Sequence, residues 1–484
     1  LGSFFGTNLL SQSFMLWIPI DRTSSLPLIR QIYLELRRQI LQGELPAGQR
    51  LPATREFAAH LGVSRNVILE AYDQLMAEGY LEARTGAGTY VAQGAYWELA
   101  PVELATKEQL KSPPAHQATD VIDFRSGIPA LECFPYKQWG QLTKQVCAET
   151  PSAMFGYGLP EGCPELRSVL EQYLWRSRGV SCHSEQIVIT SGATQAFTLV
   201  AKLLVSPGDT VVIEDPVTCE IREIFSGLGA ALYSIPVDSC GIQTNLLPYE
   251  KTPRFTLVTP SHQFPMGSVL TIQRRIELLQ FAMATDGFVV EDDYDSEFRY
   301  EGTPVSSLQG LAPERVIYIG TFSKILSPAF RLGYLVLPPT LVERCRHLKR
   351  LSDLHTSSFE QLTLARFIQA GYLERHIRRM KKLYRTRRNV LKQNLNYHFS
   401  EQVRVLGDST GLHLVAELAG IEFSAQVLRQ VEQQRVRVYP VAAYAISPQQ
   451  HRHQIILGYG NLTTKEIKIG IQRLKKALSA WEKC

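Results

Sequence analysis

The sequence predicts a multidomain chain: an N-terminal α+β winged helix-turn-helix followed by a larger C-terminal α/β unit with a mainly parallel sheet. Three observations carry this. The chain has 484 residues, too many for one compact core. Residues 15–92 show three short segments of helical apolar spacing and then two β-prone runs around a glycine-rich tip. From about residue 121, continuous apolar runs alternate with helical stretches, the pattern of strands buried on both faces.

The totals describe an ordinary globular protein, 45% hydrophobic and 20% charged. No apolar run is long enough to span a bilayer, so no membrane partner is expected. The eight cysteines (133, 147, 163, 182, 219, 240, 345 and 484) include no C-x-x-C pair. Neither a zinc site nor a disulfide framework is suggested, and a cytoplasmic location is expected. The opening "LGSFFGTNLLSQSFMLWIPI" lacks a basic start and a cleavage site. Residues 1–14, ahead of Met15, read as an upstream extension or a translation-start artefact. Net charge is +5, weak evidence for a polyanion partner. Between Asp21 and Ala92, eight basic residues meet eight acidic ones. Clustering, not bulk charge, would have to bind nucleic acid there.

In the first module, "LIRQIYLELRRQILQG" has apolar residues at 28, 29, 32, 36, 40 and 41, and Gly43 ends the helix. "ATREFAAHLG" is a second helix, with Thr54 as N-cap and Gly62 as stop. "VSRNVILEAYDQLMAEGY" is a third, capped by Ser64 and stopped by Gly79. The short glycine-containing link between the last two is helix-turn-helix spacing. "YLEARTGAGTYVA" then reads as a hairpin, the wing. Ser64, Arg65 and Asn66 open the third helix, where side chains reach bases and phosphates. Arg50, Arg55 and Arg84 flank it, and Gly86 and Gly88 give a wing tip small enough to approach a minor groove. A protein-interaction module with solvated arginines is the bland alternative. The stretch "LPATREFAAHLGVSRN" decides against it, because over its whole length the module resembles the winged helix of GntR-type bacterial regulators.

Residues 93–120, with Pro101, Pro113 and Pro114, read as a linker. The second module, 121–484, runs "IVITSG", "TVVIEDP", "FTLVTPS", "GFVVEDDY", "RVIYIGTFSK" and "GYLVLP" as strands between helices. Ligands bind beyond the carboxyl ends of such strands, and the chemistry-bearing residues fall there. In "TSGATQA", Gly192, Ala193 and Thr194 open a helix whose N–H groups suit a phosphate. "VVEDDYDSEF" ends a strand with Glu291, Asp292, Asp293 and Tyr294. Metal binding is one reading, without a histidine cluster in support. A carboxylate aimed at a cationic ring nitrogen is a second, and a helix-cap cluster a third. "GTFSKILSPAFRLGY" places Lys324 at a strand end and Arg331 seven residues on. A snorkelling or salt-bridged lysine would be the plain account. Beside a phosphate cradle and a carboxylate, it is instead the amine that pyridoxal phosphate (PLP) requires for its aldehyde. Arg331 would add a charge-assisted bond to the phosphate.

With these motifs in place, residues 121–484 resemble a fold-type I aminotransferase, the PLP-dependent transferase fold with a large and a small domain. From about residue 15 the chain resembles the MocR/GabR-type transcriptional regulators. The resemblance implies a homodimer. In "FGYGLPEGCPELR", Tyr157 would reach the phosphate of the partner subunit's cofactor. Asp292 would take the pyridine nitrogen and Tyr294 the ring hydroxyl. Lys324 would bind the aldehyde, and Thr321 and Arg331 the phosphate. In "TPSHQFPMG", Phe264 stands where aminotransferases carry asparagine, which leaves His262 and Gln263 as softer pocket candidates.

The chain departs from the family where substrate is held. Thr218 replaces the aromatic expected after "EDP". Glu220 stands where the GABA-sensing member has an arginine, and Ala443 where relatives have another; 438–448 contains none. An aminotransferase grips a carboxylate with arginine, so full transamination is doubtful and the pocket reads as poorly cationic. The expectation is a regulator that binds double-stranded promoter DNA and senses an amine, an amino acid or a B6 vitamer. A working aminotransferase with an accessory DNA-binding domain is the alternative.

Overall fold

In a computed structural model, residues 16–95, 120–303 and 305–479 are described; the upstream segment 1–14 and most of the linker 93–120 lie outside them. The chain divides into two compact units, 1–117 and 118–484.

The first unit holds α1 (Leu28–Leu41), α2 (Thr54–Leu61), α3 (Arg65–Ala77), β1 (Leu81–Arg84) and β2 (Gly88–Val91). One face of each helix meets in a common core: Ile32, Leu36 and Ile40 from α1, Phe57 from α2, and Ile68, Ala71, Tyr72 and Leu75 from α3. The two strands pair antiparallel, Leu81 opposite Val91 and Arg84 opposite Gly88. At the start of α2 the expectation needs correction. Ala53 holds the cap position and Thr54 is the first helical residue, because the Thr54 hydroxyl accepts from Arg65 Nε at 3.4 Å instead.

The second unit opens with β3 (Ile122–Asp123) and the helices α4 (Tyr136–Glu149) and α5 (Pro164–Arg178). Its main sheet holds β4 (Ile187–Thr190), β5 (Thr210–Asp215), β6 (Ala231–Asp238), β7 (Gly241–Ile242), β8 (Phe255–Val258), β9 (Phe288–Asp293), β10 (Val316–Thr321) and β11 (Gly333–Val336). The order is β4-β11-β10-β9-β8-β5-β6-β7. Strands β10, β9, β8, β5 and β6 run parallel, while β11 is antiparallel to both neighbours and β7 to β6. "GYLVLP" is thus the reversed strand of a mixed sheet. Strands β5, β8, β9 and β10 are buried along nearly their whole length, as continuous apolar runs require, while β6, nearer the sheet edge, is mostly half-buried. Helices α6 (Ala193–Leu204) and α7 (Cys219–Gly227) follow β4 and β5. A smaller sheet carries β12 (Val403–Leu406), β13 (His413–Leu418), β15 (Tyr439–Pro440) and β16 (Gln454–Gly458), while β14 (Val436–Arg437) pairs with β3. Its core, around Leu414, Ile455, Leu457 and Ile471, is distinct from that of the large sheet. Among the described residues no helix is long and apolar enough to cross a membrane.

Candidate functional site

In the first unit, Arg50, Arg55, Ser64, Arg65, Asn66 and Arg84 are all exposed. Ser64 has the extended backbone of an N-cap, yet its side chain makes no capping bond, so its hydroxyl is not spent on the helix. Arg84 pairs with Glu82 at 2.6 Å and lies over the Tyr90 ring at 4.4 Å, which fixes it on the wing. Gly86 and Gly88 both have positive φ. A Cβ at Gly88 would come within 3.1 Å of Arg50 Nε, so the bare wing strand lets Arg50 lie alongside. Exposed arginines at the α3 start and beside the wing could meet a phosphate backbone.

In the second unit a cavity of about 710 Å³ opens beyond the carboxyl ends of β9 and β10. The parallel register sets Ile319 beside Asp292, so Asp292, Thr321 and Lys324 reach it from adjacent strands. Lys324 Nζ donates to the Gly127 carbonyl at 2.9 Å. Gly127 has φ +72°, a backbone conformation that other residues rarely adopt, and a Cβ there would lie 2.7 Å from that nitrogen. Burial pulls the Lys324 pKa down, with Asp295 and Asp292 opposing and Arg125 and Arg331 adding to the fall. The amine is thereby easier to deprotonate than that of an exposed lysine.

The three consecutive acids part company here. Glu291 accepts the backbone N–H groups of Leu308 (3.0 Å) and Gln309 (2.9 Å). Asp293 accepts from Arg178 Nε (2.7 Å) and the Tyr318 hydroxyl (2.5 Å). Asp292 alone lines the cavity, and no partner for its carboxylate exists among the described residues. Burial first, then the Asp293 and Asp295 carboxylates, pushes it up to about 8. Two of the carboxyls are tied into the fold, and the third is left free to meet a cationic group in the cavity.

The other end of the cavity suits an anion. Gly192 caps α6 with φ +86°, and a Cβ there would meet Arg331 Nη2 at 2.7 Å. Arg331 has φ +49°, in the left-handed region, and its Nη2 donates to the Ser191 carbonyl at 3.0 Å. Ala193, Thr194, Thr321 and Ser323 complete that lining. Amides at a helix start, hydroxyls and a guanidinium are groups that could hold a phosphate.

The substrate side differs from expectation in several places. Thr218 and Glu220 line the cavity. Ala443 does not; its carbonyl accepts the Cys219 thiol (3.3 Å), and Tyr444 takes the wall. His262 lies behind the lining, because its ring pairs with Asp295 (3.0 Å) and its carbonyl accepts the Tyr294 hydroxyl (3.0 Å). It positions Tyr294 instead of meeting ligand. His262, Asp295 and His413 have potential ligand atoms within 4.8 Å of one another. His413 Nε2 is bonded to the Pro265 carbonyl at 2.9 Å, and burial brings its pKa down to about 3. Tyr157 is 87% exposed, outside the cavity, with its ring against His355.

Two lining cations escaped the sequence reading. Arg125 follows β3, and Arg437 ends β14, one residue before the arginine-free stretch 438–448. The poorly cationic pocket is therefore corrected. Arg437 is held by Glu432 (2.9 Å) and Asp123 (3.7 Å), whereas the Arg125 guanidinium has no partner among the described residues. The sequence signal for Arg125 was its place in "DFRSG", two residues before the glycine that seats Lys324.

With this geometry in hand, comparison with known proteins is decisive. Residues 119–474 match the aminotransferase class I and II family, and residues 28–91 the gntR family of bacterial regulatory proteins. The probable rhizopine catabolism regulatory protein MocR of Rhizobium meliloti is 36% identical over 479 residues, covering 96% of both chains. The chain belongs to this family of HTH-type transcriptional regulators. The MocR-type architecture recurs in the pyridoxine biosynthesis regulator PdxR of Corynebacterium glutamicum, 33% identical with 80% of this chain and 82% of that one covered. Among solved structures, the kynurenine aminotransferase of Pyrococcus horikoshii in complex with PMP is 28% identical. Its TM-score is 0.70, over 78% of this chain and 97% of that one. A gntR-type DNA-binding module and an aminotransferase fold thus stand in one regulator.

Proposed function

We propose that this MocR-type regulator binds promoter DNA through Arg50, Arg55, Arg65, Arg84 and the α3 start, and holds PLP on Lys324 to sense an amine, an amino acid or a B6 vitamer. One observation carries the reading: a lysine with lowered pKa and a carboxylate without a partner share one cavity at adjacent strand ends. The residues fit PLP. Asp292 would face the ring nitrogen, and Gly192, Ala193, Thr194, Thr321 and Arg331 the phosphate. Tyr294, fixed by His262, would meet the ring hydroxyl. When bound, PLP supplies an aldehyde that condenses with amines and a ring that withdraws electrons. Its lowered pKa makes Lys324 easier to deprotonate than an exposed lysine, and Asp292 would hold a proton on the ring nitrogen. A second subunit would bring its Tyr157, exposed here, to the phosphate, so the reading includes a two-fold homodimer.

Borohydride reduction of PLP-loaded protein, followed by peptide mapping, tests this. The adduct is expected on Lys324; an adduct on another lysine overturns the assignment. The presence of Arg125 favours a second reading, an aminotransferase that retains turnover. Amino transfer to a 2-oxo acid at a steady catalytic rate would support it over the pure sensor.

A further inference from the structure

We propose that the effector is a zwitterionic amino acid with a second cationic group, its carboxylate taken by Arg125 and its distal cation by Glu220. This rests on the reading of Lys324 as the PLP lysine.

Arg125 and Glu220 line the same cavity. Arg125 sits two residues from Gly127, whose carbonyl holds Lys324. Glu220 sits in the first turn of α7. Neither side chain has a hydrogen bond or ion pair among the described residues. They do not pair with each other either, since no nitrogen–oxygen approach within 4.0 Å joins them. Yet both charges act on one group: Glu220 helps raise the Tyr444 hydroxyl, and Arg125 counters it. Arg125 also acts on Lys324. An unpaired cation and an unpaired anion, both solvent-exposed, therefore line one open cavity. Ile221, Ile224 and Phe197 line it too, an apolar wall suited to a methylene chain. Arg437 is different, because Glu432 and Asp123 already neutralise it.

The chemistry of the ligand follows. The amine goes to the Lys324 centre, as the proposed function requires. A simple diamine would leave Arg125 facing a ligand it cannot bond. A simple monoamino acid would do the same to Glu220. Each unmatched charge forfeits a charge-assisted bond, and discrimination arises from those losses as much as from the contacts made. A diamino acid satisfies both.

The test uses the full chain loaded with PLP and follows the visible cofactor band during titration. The probes are L-lysine and L-ornithine, L-norleucine (no distal cation) and cadaverine (no carboxylate). One of the two diamino acids is expected to half-saturate at a concentration about tenfold or more below both norleucine and cadaverine. Arg125→Gln is expected to erase the preference over cadaverine and keep that over norleucine; Glu220→Gln should do the reverse. Equal response to all probes, or either variant keeping both preferences, overturns the inference. The two readings fail separately. If no band forms and no borohydride adduct appears on Lys324, the cofactor assignment falls and this inference with it. If the band forms without discrimination, this inference alone falls.

Discussion

The two units present their functional side chains in opposite ways. On the winged helix, Arg55, Ser64, Arg65 and Asn66 are exposed to solvent, and of the four Arg65 alone is tethered, through its bond to the Thr54 hydroxyl. In the aminotransferase unit, Lys324 and Asp292 sit in a cavity where burial and neighbouring charges move their proton affinities. The first kind of site reads a polyanion through many weak, screened contacts. The second reads a small molecule through a few groups whose charge state the protein sets in advance. Salt should therefore act on the first and pH on the second.

The largest effect is expected on DNA. Arg55→Ala combined with Arg65→Ala should weaken promoter binding by roughly 100-fold, leaving the cofactor band unchanged. Fluorescence anisotropy against salt should also show a shallower slope for this variant, because fewer counterions are released. An unchanged slope would break the assignment of this surface. Next comes Asp292→Asn, expected to weaken PLP binding by about tenfold or more, as measured by cofactor dissociation, with promoter affinity of the cofactor-free protein unaltered.

The smallest effect separates the two kinds of site by pH. In cofactor-free protein the Asp292 carboxyl rises from 3.8 to about 8 on folding. The folded state thus holds this proton more tightly than the unfolded chain. The resulting stability is fully present below about pH 4 and is lost as pH rises through about 8. Glu214 and Glu291, both pushed up to about 7 by burial, act in the same direction. Thermal unfolding across that window should show Asp292→Asn gaining on the parent protein as pH rises. Bound PLP should do likewise, by placing a cation beside the carboxylate.

How legible each site was follows from the same contrast. The winged helix is built from contiguous segments, so helical spacing, glycine stops and a glycine-rich wing tip suffice to read it. Only Thr54 misled, because a threonine before a helix reads as a cap, while its hydroxyl turns to Arg65. The cofactor side of the cavity was equally open. Lys324, Asp292 and Gly192 each lie at or just past a strand end or at a helix start, and their motifs are local. What spacing could not tell was which of three consecutive acids lacks a partner; that depends on Arg178 and on the amides of Leu308 and Gln309, far away in the chain. The effector side was least legible. It is assembled from 125–127, 218–224 and 437–444, and β14 joins β3 by a parallel pairing across more than 300 residues. A search for arginine at one aligned position could not see that Arg125 enters from the opposite end of the chain.

The proposed function makes a small molecule acting at Lys324 control how the winged helix holds DNA. Its most direct test measures promoter affinity of full-length protein and of Lys324→Ala, each with PLP and with each amine probe. The parent protein should change affinity when the amine is added. The variant should keep the cofactor-free affinity and ignore both PLP and amine. A variant that still responds to the amine would contradict the account.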